Sequence, residues 1–195
     1  MKSEPSPKAA EIIACARSLL AAGGYNGFSY ADISEAVHIT KASIHHHFPS
    51  KAELVQTVLQ LYREEARQGM QALQAHFADP LAQLNAYIGY WEACIRDGTS
   101  PFCVCAMLAA ELPAIPDDVA VEVQGHFREL AAWLTSVLAQ GAAQGIFQLR
   151  APAEAEAMAL MAQVHGGMLS SRVYGDPAIF AAIARRAVAH LTQAT

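Results

Sequence analysis

The sequence predicts an all-α protein, with a front module of three short helices and a six-helix bundle behind it. Three observations predict this. Apolar residues recur at steps of three and four along the chain, with no stretch of strict alternation that would mark a strand. Capping residues stand ahead of most of these runs, and Gly or Pro stands behind them. The chain is 53% hydrophobic but only 8% aromatic, and much of its apolar share is alanine, the best helix former.

The first helix is expected from about Ser6 or Pro7 to Ala22, with Ile12, Ile13, Ala16, Leu19 and Leu20 on one face and Gly23-Gly24 as its stop. Ser29 offers a hydroxyl N-cap with Asp32 three residues on, which starts a short helix through Val37. Thr40 caps another short helix that ends near His47-Phe48, before Pro49. Ser50-Lys51-Ala52-Glu53 forms a capping box that opens a long helix, periodic through Leu54, Val58, Leu61, Tyr62, Ala66, Met70, Leu73 and Phe77. Asp79-Pro80 begins the next, with Leu84, Tyr87, Ile88, Trp91 and Ile95 on its buried face and Gly98 at its end. A nearly all-apolar segment from Pro101 to Leu112 is expected to be buried. After Pro113 and Pro116 a further long helix carries Val119, Val123, Phe127, Leu130, Leu134 and Val137, and Gly145 ends it. Two last helices are expected at about Pro152–Tyr174 and Pro177–Gln193.

Composition narrows the function. No apolar run reaches the roughly 18 residues of a membrane span. The polar, proline-bearing stretch over residues 1–7 reads as a disordered arm and not as a secretory leader. The four cysteines then read as reduced thiols of a cytoplasmic protein. A net charge of -5 argues at first against nucleic acid. Its distribution softens the objection: seven Lys/Arg balance seven Asp/Glu up to Arg67, and the acidic excess lies beyond. A DNA reader can work from such a surface with a few well-placed cations, at the cost of weak non-specific affinity.

The stretch from Ser29 to Lys51 carries the functional signal. Two short helices around a tight turn at Val37-His38-Ile39 bury little by themselves. Their use is geometric, since the first braces a second whose N-terminal residues can enter a major groove. The reading helix is expected at Thr40–His47, offering Lys41, Ala42, Ser43 and His45 to base edges and phosphates, while Ile44 and Phe48 point back into the core. Lys51, in the first turn of the next helix, is expected to act with that helix's outward N–H groups as a phosphate clamp.

The run Ile33-x-x-Ala36-x-x-Ile39-Thr40-Lys41-x-Ser43-Ile44-x-His46-His47-Phe48-Pro49-Ser50-Lys51, with Ala16, Gly24-Tyr25 and Phe28-Ser29 upstream, resembles the DNA-binding domain of the TetR/AcrR family. The resemblance covers about a third of the chain. It implies an all-helical homodimeric repressor that binds a palindromic, double-stranded operator and leaves it on binding a small-molecule effector. It places Lys41, Ser43, His46 and Lys51 at the DNA; the exposed Ala42 and His45 and the capping Ser29 and Thr40 complete the set of expected DNA contacts. Two positions depart from the family: His38 stands where the turn usually has glycine, and His45 where a tyrosine usually meets phosphate. A histidine there can donate a hydrogen bond, but its charge depends on pH.

The domains expected are the arm (1–7), a helix-turn-helix domain (8–50), a connecting helix (51–77) and an effector-binding and dimerisation domain (78–195). By the same resemblance the last two helices form the dimer bundle. Ala155, Met158, Ala162, His165 and Leu169 make one face, and Ile179, Ile183, Ala187 and Leu191 the other, with Gly166 and Gly167 allowing close approach. An apolar effector pocket with one or two polar handles is expected from Tyr87, Trp91, Cys94, Cys103, Met107, His126, Trp133 and His165.

Blander readings stand beside these. His45-His46-His47 point about 100° apart on a helix and cannot converge on one metal ion, so no metal is expected; no cofactor motif is present either. The stretch from Phe102-Cys103 to Leu108-Ala109-Ala110-Glu111 is similar to a TetR subgroup with repressors that respond to electrophiles and acrylate-like compounds. Yet thiolate reactivity needs an electropositive surrounding, and Arg96 is the one cation nearby in sequence. Buried core cysteines are the simpler reading. An enzyme using a cysteine with His126 or His165 finds no nucleophile elbow or phosphate loop to support it, so no enzyme is expected. A helical adaptor with a degenerate front module is the remaining alternative, and retention on operator DNA separates it.

Overall fold

The computed structural model describes residues 5–100 and 102–192. Its described residues form nine α-helices and one 3-10 turn: α1 (Pro7–Gly23), α2 (Tyr30–Val37), α3 (Lys41–His47), α4 (Lys51–His76), α5 (Pro80–Asp97), α6 (Val104–Ala109), the turn Leu112–Ala114, α7 (Asp117–Ala143), α8 (Ala153–Tyr174) and α9 (Pro177–Thr192). The all-α architecture expected from the periodicity is therefore observed. Most of the arm expected over 1–7 lies outside the described residues, but Ser6 caps α1 and Pro7 opens it. The Ser6 hydroxyl accepts from the Ala9 N–H, and Pro7 suits a first turn where no backbone donor is needed. Gln193, where α9 was expected to end, also lies outside the described residues.

Two compact units divide the chain: one comprises the described residues up to Glu64 together with Cys103–His126, the other Glu65–Phe102 with Phe127 onward. In the first unit, Ile12, Ala16 and Leu20 of α1, Ile33 of α2, Ile44 of α3 and Leu54, Val58 and Leu59 of α4 are fully or almost fully buried, and α6 packs on α1. In the second, α8 and α9 pack as a hairpin around Phe180, with α5 against α9. The apolar stripe of α4 is buried only as far as Tyr62; Met70 and Leu73 are half-buried within the single chain.

The caps hold the short helices where burial alone is insufficient. Ser29 and Asp32 form a full capping box, the Ser29 N–H and hydroxyl both donating to the Asp32 carboxylate. These bonds hold the Asp32 carboxyl below its ordinary pKa. Thr40 accepts from the Ser43 N–H at 3.1 Å, and Ser50 from the Glu53 N–H at 3.1 Å. Between α2 and α3, His38 adopts the left-handed conformation at φ 54°. The Ser34 hydroxyl bonds the Ile39 carbonyl, and the Ile39 N–H returns to the Ser34 carbonyl, so the turn is held without glycine. A non-glycine residue pays for this conformation with about 1 kcal/mol, part of which glycine gives back through unfolded-chain entropy. His38→Gly is therefore expected to raise stability by about 0.5 kcal/mol, read as a small rise in melting temperature. A fall would mean that the imidazole makes a contact worth more than the strain.

Candidate nucleic-acid interface

The helix α3 is anchored from beneath by Ile44 and Phe48, both buried. The Tyr30 hydroxyl, at the start of α2, donates to the Phe48 carbonyl at 2.8 Å and so ties the start of one helix to the end of the other. Burial, reinforced by the charge of Glu53, pushes the Tyr30 phenol up to about 12, which keeps it a donor. With that face down, Lys41, Ala42, His45 and His46 are exposed and Ser43 is half-buried. His45 does not stand wholly apart from the core: its ring meets the Tyr30 ring edge-on at 4.8 Å and its Nδ1 lies 3.2 Å from the Pro49 carbonyl. Ser29 and Thr40 are exposed, each with its hydroxyl engaged in a cap.

Lys51 is placed differently from the expectation. Its ammonium is not extended beside the start of α4. It folds back onto the α1–α2 loop, donating to the Phe28 carbonyl at 2.5 Å and lying 4.7 Å and 4.3 Å from the Tyr25 and Phe28 ring centres. Burial lowers its pKa, while the charges of Glu111 and Asp32 act in the opposite direction.

The residues expected around an effector fall into two groups. Cys103, Met107 and His126 belong to the first unit, and Tyr87, Trp91, Cys94, Trp133 and His165 to the second. Cys103 is fully buried; its thiol accepts from the Tyr62 hydroxyl at 3.3 Å and lies 3.8 Å from His126 Nε2. The cation that acts on it is Arg17, whose guanidinium also lies 4.9 Å from the Tyr62 ring centre. Arg96, the one cation nearby in sequence, pairs with Asp97 on the surface. Burial outweighs these contacts and pushes the Cys103 thiol up, the state of an inert structural cysteine. Neither Arg17 nor Tyr62 carried a local signal for this cluster, since α1 and α4 meet Cys103 only through the fold.

In the second unit, Tyr87 and Trp133 meet edge-on at 5.4 Å, and Trp91 and Cys94 are buried on the same face of α5 as Tyr87. Trp133 Nε1 is buried with no hydrogen-bond partner among the described residues. His165 packs against Phe127 at 5.2 Å, and burial lowers its pKa to about 4. The imidazole is thus neutral at pH 7. Because the unfolded chain binds its proton near 6.5 and the folded one only near 4, stability present above pH 6.5 is lost as the pH falls through this window. At about 1.4 kcal/mol per pKa unit, the expected loss between pH 7 and pH 5 is about 1–2 kcal/mol. His165→Gln should remove that part of the slope in urea titrations at the two pH values; an unchanged slope would contradict it.

On the faces expected to meet a second copy, Met158 and Leu169 of α8 are 55% and 54% exposed, Ala162 and Gly166 are exposed between them, and Ala155 is exposed one turn before Met158. Ile179 and Ile183 are half-buried, but Ala187 and Leu191 are only 5% and 3% exposed and turn into the unit's own core with Phe180 and Ala184. Within the single chain, the buried side of α9 thus includes Ala187 and Leu191 beside Phe180 and Ala184. Gly167 is likewise inward, against Phe180 and Ile183.

Two short helices joined by a tight turn, with the second anchored below and polar above, define a helix-turn-helix DNA-binding protein. The profile of bacterial regulatory proteins of the tetR family matches residues 12–58, and that of the tetracyclin repressor-like C-terminal domain matches residues 80–188. The chain belongs to the TetR family, and is a DNA-binding transcriptional regulator. A TetR-family transcriptional regulator from Agrobacterium tumefaciens shares 55% identity over 95% of this chain and 98% of its own, with a TM-score of 0.93. A TetR regulator from Legionella pneumophila (23% identity, 96% and 99% covered, TM-score 0.85) and the regulatory protein TetR from Rhodobacter sphaeroides (22%, 95% and 100%, 0.86) share the fold. Among curated proteins nothing matches the chain. No helix of the described residues is long and apolar enough to cross a membrane.

Proposed function

We propose that the protein is a homodimeric repressor that binds a palindromic operator and leaves it when a small-molecule effector binds the helical region behind the reading module. The observation that carries this is the outward row Lys41, Ala42, His45 and His46 on a helix locked from below by Ile44, Phe48 and the Tyr30 hydroxyl. Lys41 and His46 supply donors for phosphates and base edges, Ala42 allows close approach, and the capped hydroxyls of Ser29 and Thr40 with Ser43 lie at helix starts. The exposed apolar row Met158, Leu169 and Val173 on α8, with open Gly166 between, supports pairing with a second copy. Two-fold pairing sets two reading helices about 34–36 Å apart, one helical turn of DNA, so a shift of a few ångströms weakens binding. The helix α4, which contributes residues to both units, is the element we assign to carry that shift. For the effector, the aromatic and polar lining of the second unit around Tyr87, Trp91, Cys94, Trp133 and His165 is the favoured site, as a mostly apolar surface with few polar handles.

A second reading, a thiol-gated form of the same repressor, is favoured by the Tyr62–Cys103–His126 contacts and opposed by the burial that raises the thiol pKa. The deciding experiment is a gel-shift titration on the DNA flanking the protein's own gene, with and without N-ethylmaleimide. A specific shift insensitive to alkylation supports the repressor with structural cysteines. A shift lost on alkylation supports the thiol form. No specific binding to that DNA, with folded protein, supports the adaptor reading.

A further inference from the structure

The segment that follows α6 makes a contact for which the repressor reading has no role. Glu111 Oε2 accepts from the Tyr25 N–H at 2.5 Å, in the loop between α1 and α2. The same carboxylate lies flat on the α-carbon of Gly24: a Cβ there would come within 2.5 Å of Oε2 and 2.8 Å of the carboxyl carbon. Gly24 has φ 74° and ψ −168°, a conformation restricted to glycine. The loop's backbone is thus shaped around this one side chain. The ammonium of Lys51 is folded into the same loop, against the Tyr25 and Phe28 rings and the Phe28 carbonyl, and feels the Glu111 charge. Glu111 is half-buried and α6, just before it, packs on α1.

We propose that Glu111 is a positioning residue for DNA binding, holding the α1–α2 loop and the Lys51 ammonium in place from outside the helix-turn-helix module. The carboxylate does two things of opposite sign. Its hydrogen bond orders the loop from which α2 starts, which favours binding. Its negative charge competes with a DNA phosphate for Lys51, which opposes binding. Any displacement of α6 that withdraws Glu111 therefore changes the reading module directly, through one hydrogen bond and one charge.

The proposal rests on the operator-binding reading, and two variants separate its parts. Glu111→Gln keeps an acceptor of the same shape and removes the charge; Glu111→Ala removes both. Amide hydrogen exchange on the DNA-free protein is measured first. Exchange of peptides covering Tyr25–Phe28 is expected to quicken about ten-fold or more in Glu111→Ala and to stay near wild type in Glu111→Gln, with α8 and α9 unchanged. Binding is then read by fluorescence anisotropy on a duplex selected from a random pool by the wild-type protein. Glu111→Ala is expected to bind about ten-fold more weakly, and Glu111→Gln two- to three-fold more tightly. Unchanged exchange in Glu111→Ala, or equal losses of protection in both variants, overturns the proposal. So does wild-type affinity in Glu111→Ala. The wild type's selection of no duplex overturns the operator reading itself and the DNA half of the proposal, while the exchange result still decides whether Glu111 holds the loop.

Discussion

Lys41→Ala is expected to weaken operator binding by about 30- to 20,000-fold while leaving the fold intact. The side chain is exposed at the first turn of α3, so truncation should change stability by less than about 0.5 kcal/mol. A good phosphate or base contact contributes about 1–3 kcal/mol, and in a two-fold complex each substitution is made twice. A salt titration tells which contact is lost. If Lys41 neutralises a phosphate in each half-site, the slope of log K against log[salt] falls by about 2, since each released counterion contributes about 0.9. If it reads a base, the slope hardly moves and sequence preference relaxes instead. Wild-type affinity in Lys41→Ala, with Lys51→Ala also unaffected, would mean that α3 is not the reading helix.

Glu122→Ala is expected to cost the first unit about 2–4 kcal/mol. Glu122, on α7, receives the Arg63 guanidinium of α4 and, at 3.0 Å, the Gln60 amide. The side chains of Arg63 and Glu122 are only 21% and 10% exposed. At Gly125, one turn further along α7, a Cβ would lie 2.5 Å from the guanidinium carbon, so the Arg63 charge rests directly on the helix backbone. Removing the carboxylate leaves that charge in a poorly solvated place, which is why breaking a buried pair costs more than the pair itself contributes. Glu122→Gln should cost less than Glu122→Ala, because the amide oxygen still accepts. The paired replacement Arg63→Met with Glu122→Leu should be near neutral, since no charge is then stranded. Urea unfolding of the four proteins checks this; a Glu122→Ala chain within 0.5 kcal/mol of wild type would show that water already solvates the pair.

Neither Arg63 nor Glu122 was visible as a pair in the sequence, and the reason is general. Each sits in a periodic helix where a charge ordinarily marks the solvated face, and only the approach of α7 to α4 turns both inward. Lys51 shows the same limit from another side. Its place in the first turn of α4 is local and legible, but its ammonium is captured by Phe28 and Tyr25, residues of a different loop. For α9, alternation of Ile, Ala and Leu at steps of four identified an apolar face. It did not identify which neighbour covers that face, and in the single chain Ala187 and Leu191 lie in the core of their own unit. Arg17 could not have been connected with Cys103, because nothing in either segment refers to the other.

The sequence by itself determined the helices, their caps and the helix-turn-helix module. These depend on interactions within a few residues: hydroxyls capping amides, apolar steps of three and four, glycine or a hydrogen-bonded His38 in the turns. The tertiary structure alone decided where Lys51 points, what surrounds Cys103, which face of α9 is inward and that Glu111 accepts from the Tyr25 N–H in the loop ahead of α2. These depend on contacts between segments far apart in the chain, and local pattern carries no information about which charged or apolar face another helix will come to cover.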